Sequence, residues 1–123
     1  MANHPLNLAL RFLLELAAII TMGIWGFHIS EETPGIIFAI LLPLGFAVLW
    51  GVFAVPNDPS RSGKTVISTP GIIRLLLELG LFAATTWMMR DLDYSIIWWV
   101  FGMVVLSHYL ISYERVSWLL KQK

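Results

Sequence analysis

Arg11 and Glu15 stand four residues apart inside one apolar stretch, "RFLLELAA". Arg74 and Glu78 repeat that spacing inside another, "RLLLELGL". On a helix, residues four apart share one face and lie about 6 Å from each other. A guanidinium beside a carboxylate in apolar surroundings supports two kinds of chemistry. The groups can neutralise one another as a buried polar clamp, or they can line a site for a small polar solute or a proton. His108, inside a third apolar stretch, adds a ring that titrates near about pH 6.5 unless shifted. No nucleophile–base pair accompanies these groups, so no enzyme activity is expected. Cysteine is absent, which excludes disulfides, thiol catalysis and cysteine-based metal sites. His4 and His28 belong to segment ends, far from His108 in sequence, so neither a metal site nor another cofactor is expected.

The elements that carry these charges are written for lipid. Of 123 residues, 58% are hydrophobic and 13% charged, against about 25% charged in an average soluble domain. Mean hydropathy is +0.77. Four segments stand out: Leu6 to Phe27, Gly35 to Val55, Gly71 to Met89 and Tyr94 to Tyr113. Each is about 19–22 residues long, and a helix needs roughly 20 to cross a bilayer core. The expected fold is therefore all-α and integral to a membrane, with four transmembrane helices. A soluble four-helix bundle would need a charged stripe on every helix, and the second and fourth segments have none.

All six tryptophans fall near the ends of these segments, where indole rings favour the membrane–water interface. The first segment resembles a signal peptide in position only. It lacks a basic start and carries Arg11 and Glu15 in its core, so it reads as a mature helix. His4-Pro5, Thr33-Pro34 and Thr69-Pro70 predict three helix starts with Pro at the first helical position, Thr33 and Thr69 acting as caps. Asp91 or Asp93 is expected to cap the fourth. Pro43 should kink the second helix.

Loop charge sets the orientation. "HISEETP" and "RDLDY" are acidic, whereas "NDPSRSGKT" and the C-terminal tail carry the Lys and Arg excess that marks a cytoplasmic side. Both termini and the central loop are expected inside, in a bacterial cytoplasmic membrane. Net charge is zero, and no basic run suggests a nucleic-acid partner. "DPSRSGKT" ends like a phosphate-binding loop, but Asp58 stands where the first glycine belongs and no strand precedes it, so chance explains it.

An offset of 63 residues aligns Arg11 with Arg74 and Glu15 with Glu78, and it places Ala17 on Gly80. Small residues at such positions let helix backbones approach. The sequence thus reads as one membrane domain over residues 1–123, made of two parallel-repeat helical hairpins. Repeat one covers 5–55, a cytoplasmic loop 56–69, repeat two 70–113, and an interfacial tail 114–123. In that tail Trp118, Leu119 and Leu120 are expected to dip into lipid.

"NLALRFLLELAA", "LWGVFAVPNDP", "RLLLELGLF" and "SYERVSWLL" together resemble the YrdB family of small bacterial four-helix membrane proteins. The resemblance spans nearly the whole chain and implies an inner-membrane protein. It carries no catalytic residue, because the family has no established activity.

On the insertion scale each central charge costs roughly 2.5–3.5 kcal/mol, and each Leu, Ile or Phe returns about 0.3–0.6. Leu6 to Phe27 holds eleven such residues, about 3–7 kcal/mol against about 5–7 for Arg11 and Glu15. The sums nearly cancel, so these groups should turn inward and pair, within a helix or reciprocally as Arg11–Glu78 and Arg74–Glu15. Two functions follow from a cluster of Arg11, Glu15, Arg74, Glu78 and His108. One is solute or proton binding and transport through an inward polar pocket. The other is an accessory or assembly protein whose charges only hold the bundle together. The expected partners are the lipid bilayer and a second copy or another membrane protein.

Overall fold

The first helix, α1 (Pro5–His28), begins where its sequence says it should. His4 is extended and its Nδ1 accepts from the Leu6 amide at 3.2 Å, while Pro5 fills the first turn, where a missing N–H costs nothing. The structure is a computed structural model that describes residues 4–29, 35–58, 65–93 and 95–122. The Thr33-Pro34 start lies outside these residues.

Asn7, Arg11, Leu14, Ala18, Met22 and Gly26 recur every three or four residues and, with Thr21, form the buried face of α1. Helix α2 (Gly35–Val52) packs on α1 and buries Phe46 alone. Glycines make that contact close. A Cβ on Gly26 would stand 2.5 Å from the Phe38 carbonyl oxygen, which is backbone and cannot give way as a side chain would. Pro43 lies inside α2 and has no N–H to offer the Ala39 carbonyl. Gly23 lies against that carbonyl, where a Cβ would be at 3.5 Å. Gly26→Val should therefore part the hairpin and lower the melting temperature by several degrees. Gly45→Ala, whose Cβ would meet open space, should leave it within a degree or two, since exposed Gly→Ala changes amount to at most about 1 kcal/mol.

After α2 the chain forms β1 (Phe53–Ala54), which pairs in parallel with β2 (Ile67–Ser68). The Thr69 amide extends this pairing to the Ala54 carbonyl at 2.9 Å. The central loop is thus tied at its base, a feature that two-residue strands leave no pattern to predict.

Helix α3 (Gly71–Asp91) corrects one expectation. Pro70 is its cap residue, and the Thr69 hydroxyl donates to the Ile67 carbonyl at 3.1 Å instead of accepting from the helix. Neither aspartate caps the fourth helix either. Asp91 closes α3 and accepts from the Trp25 indole at 2.8 Å. Asp93 turns the chain with φ 61°, a conformation that Asp tolerates better than most residues. Helix α4 (Ile97–Ile111) starts after Ile96 with no side-chain cap.

The tail corrects another expectation. The chain breaks at Ser112 and resumes as α5 (Tyr113–Leu120). Leu119 is fully buried and Arg115 nearly so. The Leu119 carbonyl lies directly over Gly71, and the Gly71 amide donates to the Gln122 carbonyl at 3.1 Å. A tail at the interface would leave Leu119 in lipid. Here it packs on the start of α3, and Leu120 alone of the three expected residues is exposed.

Trp25 meets Trp87 edge-on and hydrogen-bonds Asp91, so α1 and α3 run parallel, ending together. Arg90, late in α3, lies over the Trp98 ring near the start of α4, while Tyr109, late in α4, reaches Glu78 earlier in α3, placing α4 antiparallel beside α3. The fold is predominantly helical. Helices α1, α2 and α3 are long and apolar enough to cross a membrane, and α4 is a shorter apolar helix of 15 residues.

Candidate functional site

At the end of the bundle where α1 and α3 begin and α2 and α4 finish, the buried faces carry charge. Glu78 lies one turn beyond Arg74 on α3, in line with Phe82, Thr85 and Met89. That line faces the interior, so Glu78 is fully buried.

Donors from four helices surround it. Arg11 of α1 reaches Oε1 at 3.2 Å and Oε2 at 3.0 Å. Arg74 of α3 donates through Nε to Oε2 at 2.7 Å. Arg115 of α5 reaches Oε1 at 2.9 Å and Oε2 at 2.8 Å. The Tyr109 hydroxyl of α4 donates to Oε1 at 2.6 Å. Each oxygen therefore accepts three bonds, and a carboxylate offers only about four lone-pair sites in all. Glu78 is saturated.

The arginines extend the network outward. Arg115 also grips Asp58, with Nε to Oδ1 at 3.1 Å and Nη2 to Oδ2 at 2.6 Å. Burial opposes the Arg115 charge, but its bonds to Glu78 and Asp58 outweigh that and hold its pKa above the ordinary arginine value. Arg74 Nη1 donates to the Trp50 and Phe53 carbonyls, both at 2.6 Å. The last carbonyls of a helix have no intrahelical partner, so Arg74 caps α2 from another helix. The Trp50 ring stacks on Phe46 and takes both Arg11 and Arg74 within 5.0 and 4.7 Å of its centre. Among the described residues, three arginines (Arg11, Arg74, Arg115) meet three carboxylates (Glu15, Glu78, Asp58), so their formal charges balance.

Both intrahelical pairings expected from the sequence form, Arg11–Glu15 and Arg74–Glu78, and so does Arg11–Glu78 across the helices. In place of the reciprocal Arg74–Glu15 pair, Arg74 engages the α2 carbonyls. Glu15 sits at the rim, 3.4 Å from Arg11 Nε, with its side chain 22% exposed. His108 is buried beside the cluster, packed edge-on to Tyr109. Its Nδ1 faces Asn7 Oδ1 at 3.0 Å, while Asn7 Nδ2 donates to Ser112 Oγ at 2.8 Å. Since Asn7 presents its oxygen to the ring, the network assigns the His108 proton to Nδ1.

Arg115, Asp58, Tyr109 and Trp50 were not anticipated as members. A signal existed for one of them: His108, Ser112, Arg115 and Leu119 recur at spacings of four and three, the mark of one helix face. Asp58 and Trp50 come from the loop and the end of α2, and nothing local in the sequence links them to Glu78.

Among the described residues, three cavities lie around the network, two of them bordered by its outer members Tyr109 and Asn7. One of about 340 Å³ opens between α3 and α4, lined by Leu79, Ala83, Thr86, Gly102 and Leu106 among others. Another of about 310 Å³ lies by the loop base around Asn57, Ser68 and Gln122. A third, of about 360 Å³, lies between the start of α1 and Ile111. None of the three is lined by Arg11, Glu15, Arg74, Glu78 or His108. Among the described residues no three His, Asp or Glu side chains are placed to hold a metal ion.

A family model described as "Protein of unknown function (DUF2568)" matches residues 9–119. The chain is 40% identical over 116 residues to "Uncharacterized protein YrdB" of Bacillus subtilis (strain 168), covering 94% of each chain. No solved structure matches.

Proposed function

We propose that this chain, which belongs to the DUF2568 family and is a relative of YrdB, is a four-span protein of the bacterial cytoplasmic membrane. Its buried arginine–carboxylate cluster is a structural clamp, and the protein serves as an accessory or assembly component rather than a carrier. The observation that carries this reading is the saturation of Glu78 by six donors from four helices. A solute site keeps donors or acceptors available for its ligand, and here the central carboxylate spends all of them within the chain.

The fourth span is α4. Its 15 residues cover about 22 Å, short of a core of about 30 Å. Residues 95–96 and the kink at Ser112 supply the remaining length. The chain then reads as two helical hairpins in parallel repeat, with Arg11 and Arg74 at equivalent depth. The cluster sits near the cytoplasmic end, close to the Lys- and Arg-bearing loop and tail. Single cysteines test the topology without interference, because the sequence has none of its own. Ser95→Cys should label with impermeant thiol reagents from outside, and Ser68→Cys and Ser117→Cys only after permeabilisation. External labelling of the Ser68→Cys protein would overturn the four-span arrangement.

The clamp is tested by flux. Purified protein in liposomes should pass protons and small ions no faster than empty vesicles. Flux that depends on protein and disappears in the Glu78→Gln variant would make the cluster a transport site instead.

A further inference from the structure

Glu15 and Glu78 occupy corresponding places beside Arg11 and Arg74, yet they are held differently. Glu78 has no exposure and six donors. Glu15 keeps 22% of its side chain exposed, with one ion pair at 3.4 Å. It lies ten residues into α1, about 15 Å from the start of that helix and one turn deeper than Arg11, within a bilayer core of about 30 Å. A carboxylate there is costly, and protonation is the simplest way to remove the cost.

The groups that act on Glu15 are few. Arg11 faces it from α1, Trp50 from α2, and Arg74 and Glu78 from α3. From α4 and α5, Tyr109, His108 and Arg115 are engaged with Glu78, Asn7 and Asp58. Protonating Glu15 breaks none of the six bonds to Glu78. It leaves the network with one excess positive charge, and that charge falls on Arg11 and Arg74, the two cations already resting on the Trp50 ring. A tryptophan face stabilises such a charge, and more strongly where water is excluded.

We propose that Glu15 is an exchangeable proton-binding site at the rim of the clamp, taking up and releasing a proton while the Glu78 network stays closed. The inference rests on the membrane reading above. Topology is checked independently by the cysteine pattern, so a correctly inserted protein that fails the test below overturns the inference alone.

Dicyclohexylcarbodiimide reacts with protonated carboxyls in apolar surroundings. The full-length protein in phosphatidylcholine vesicles is treated with it at mildly acid and mildly alkaline pH, and adducts are located by peptide mass. The expected adduct is on Glu15, with several-fold higher yield on the acid side, no adduct on Glu78, and none in the Glu15→Gln variant. No adduct on Glu15, equal modification of Glu78, or a yield independent of pH would each overturn the proposal.

Discussion

Glu78→Gln should destabilise the folded protein by about 3–5 kcal/mol, the loss expected when one partner of a buried ion pair is removed. The replacement keeps the shape of the side chain, so packing is unchanged and the effect is electrostatic. Three arginines would then share Asp58 and Glu15, and one oxygen of the carboxylate would become an amide facing donors such as Arg11 and Arg115. Glu15→Gln, at the partly exposed rim, should cost no more than about 1 kcal/mol. Unfolding by denaturing detergent in mixed micelles would measure both. The contrast matters more than either value, because equal losses would mean that Glu78 holds no privileged place.

Gly71→Val should release α5 from the bundle. A Cβ at position 71 would run into the Leu119 carbonyl, which is backbone and can move only if the whole helix moves. With α5 displaced, Arg115 leaves Glu78 and Asp58, and Leu119 loses its buried site. The loss should approach that of the Glu78→Gln variant. Limited proteolysis should register it first, as cleavage after Arg115 or Lys121 that the parent protein resists. Continued resistance in the variant would mean that α5 is held by something other than its seat on α3.

The sequence made the helices legible because long apolar segments announce themselves by length and composition. The two Arg–Glu spacings were legible for the related reason that charge in such a segment is conspicuous. Arg115 was harder to see, since it sits where basic residues are expected for orientation alone. The shared buried face of His108, Ser112, Arg115 and Leu119 was written in the spacing, but the break at Ser112 obscures it. Asp58 was invisible in a loop whose polarity needs no explanation. The difference between Glu15 and Glu78 was also hidden. The two have closely similar local sequence, RFLLEL against RLLLEL, and the arrival of α4 and α5 around one of them sets them apart.

The helix caps went wrong for a physical reason. Thr69 lies beside β2, and its hydroxyl donates to Ile67 within the loop rather than accepting from α3. Asp91 was claimed by Trp25 across the bundle. In both cases a contact local rules could not anticipate outweighed a cap worth about 1 kcal/mol.

The clamp is tested most directly by a double-mutant cycle on Asp58 and Arg115, the pair that ties the loop and α5 to Glu78. Asp58→Leu alone leaves an excess positive charge buried, and Arg115→Leu alone leaves an excess negative one. Removing both leaves Arg11 and Arg74 balanced by Glu15 and Glu78. Thermal unfolding in detergent should find the double variant more stable than the sum of the two losses implies, with a coupling of about 1–3 kcal/mol. Strictly additive losses would contradict a closed electrostatic clamp.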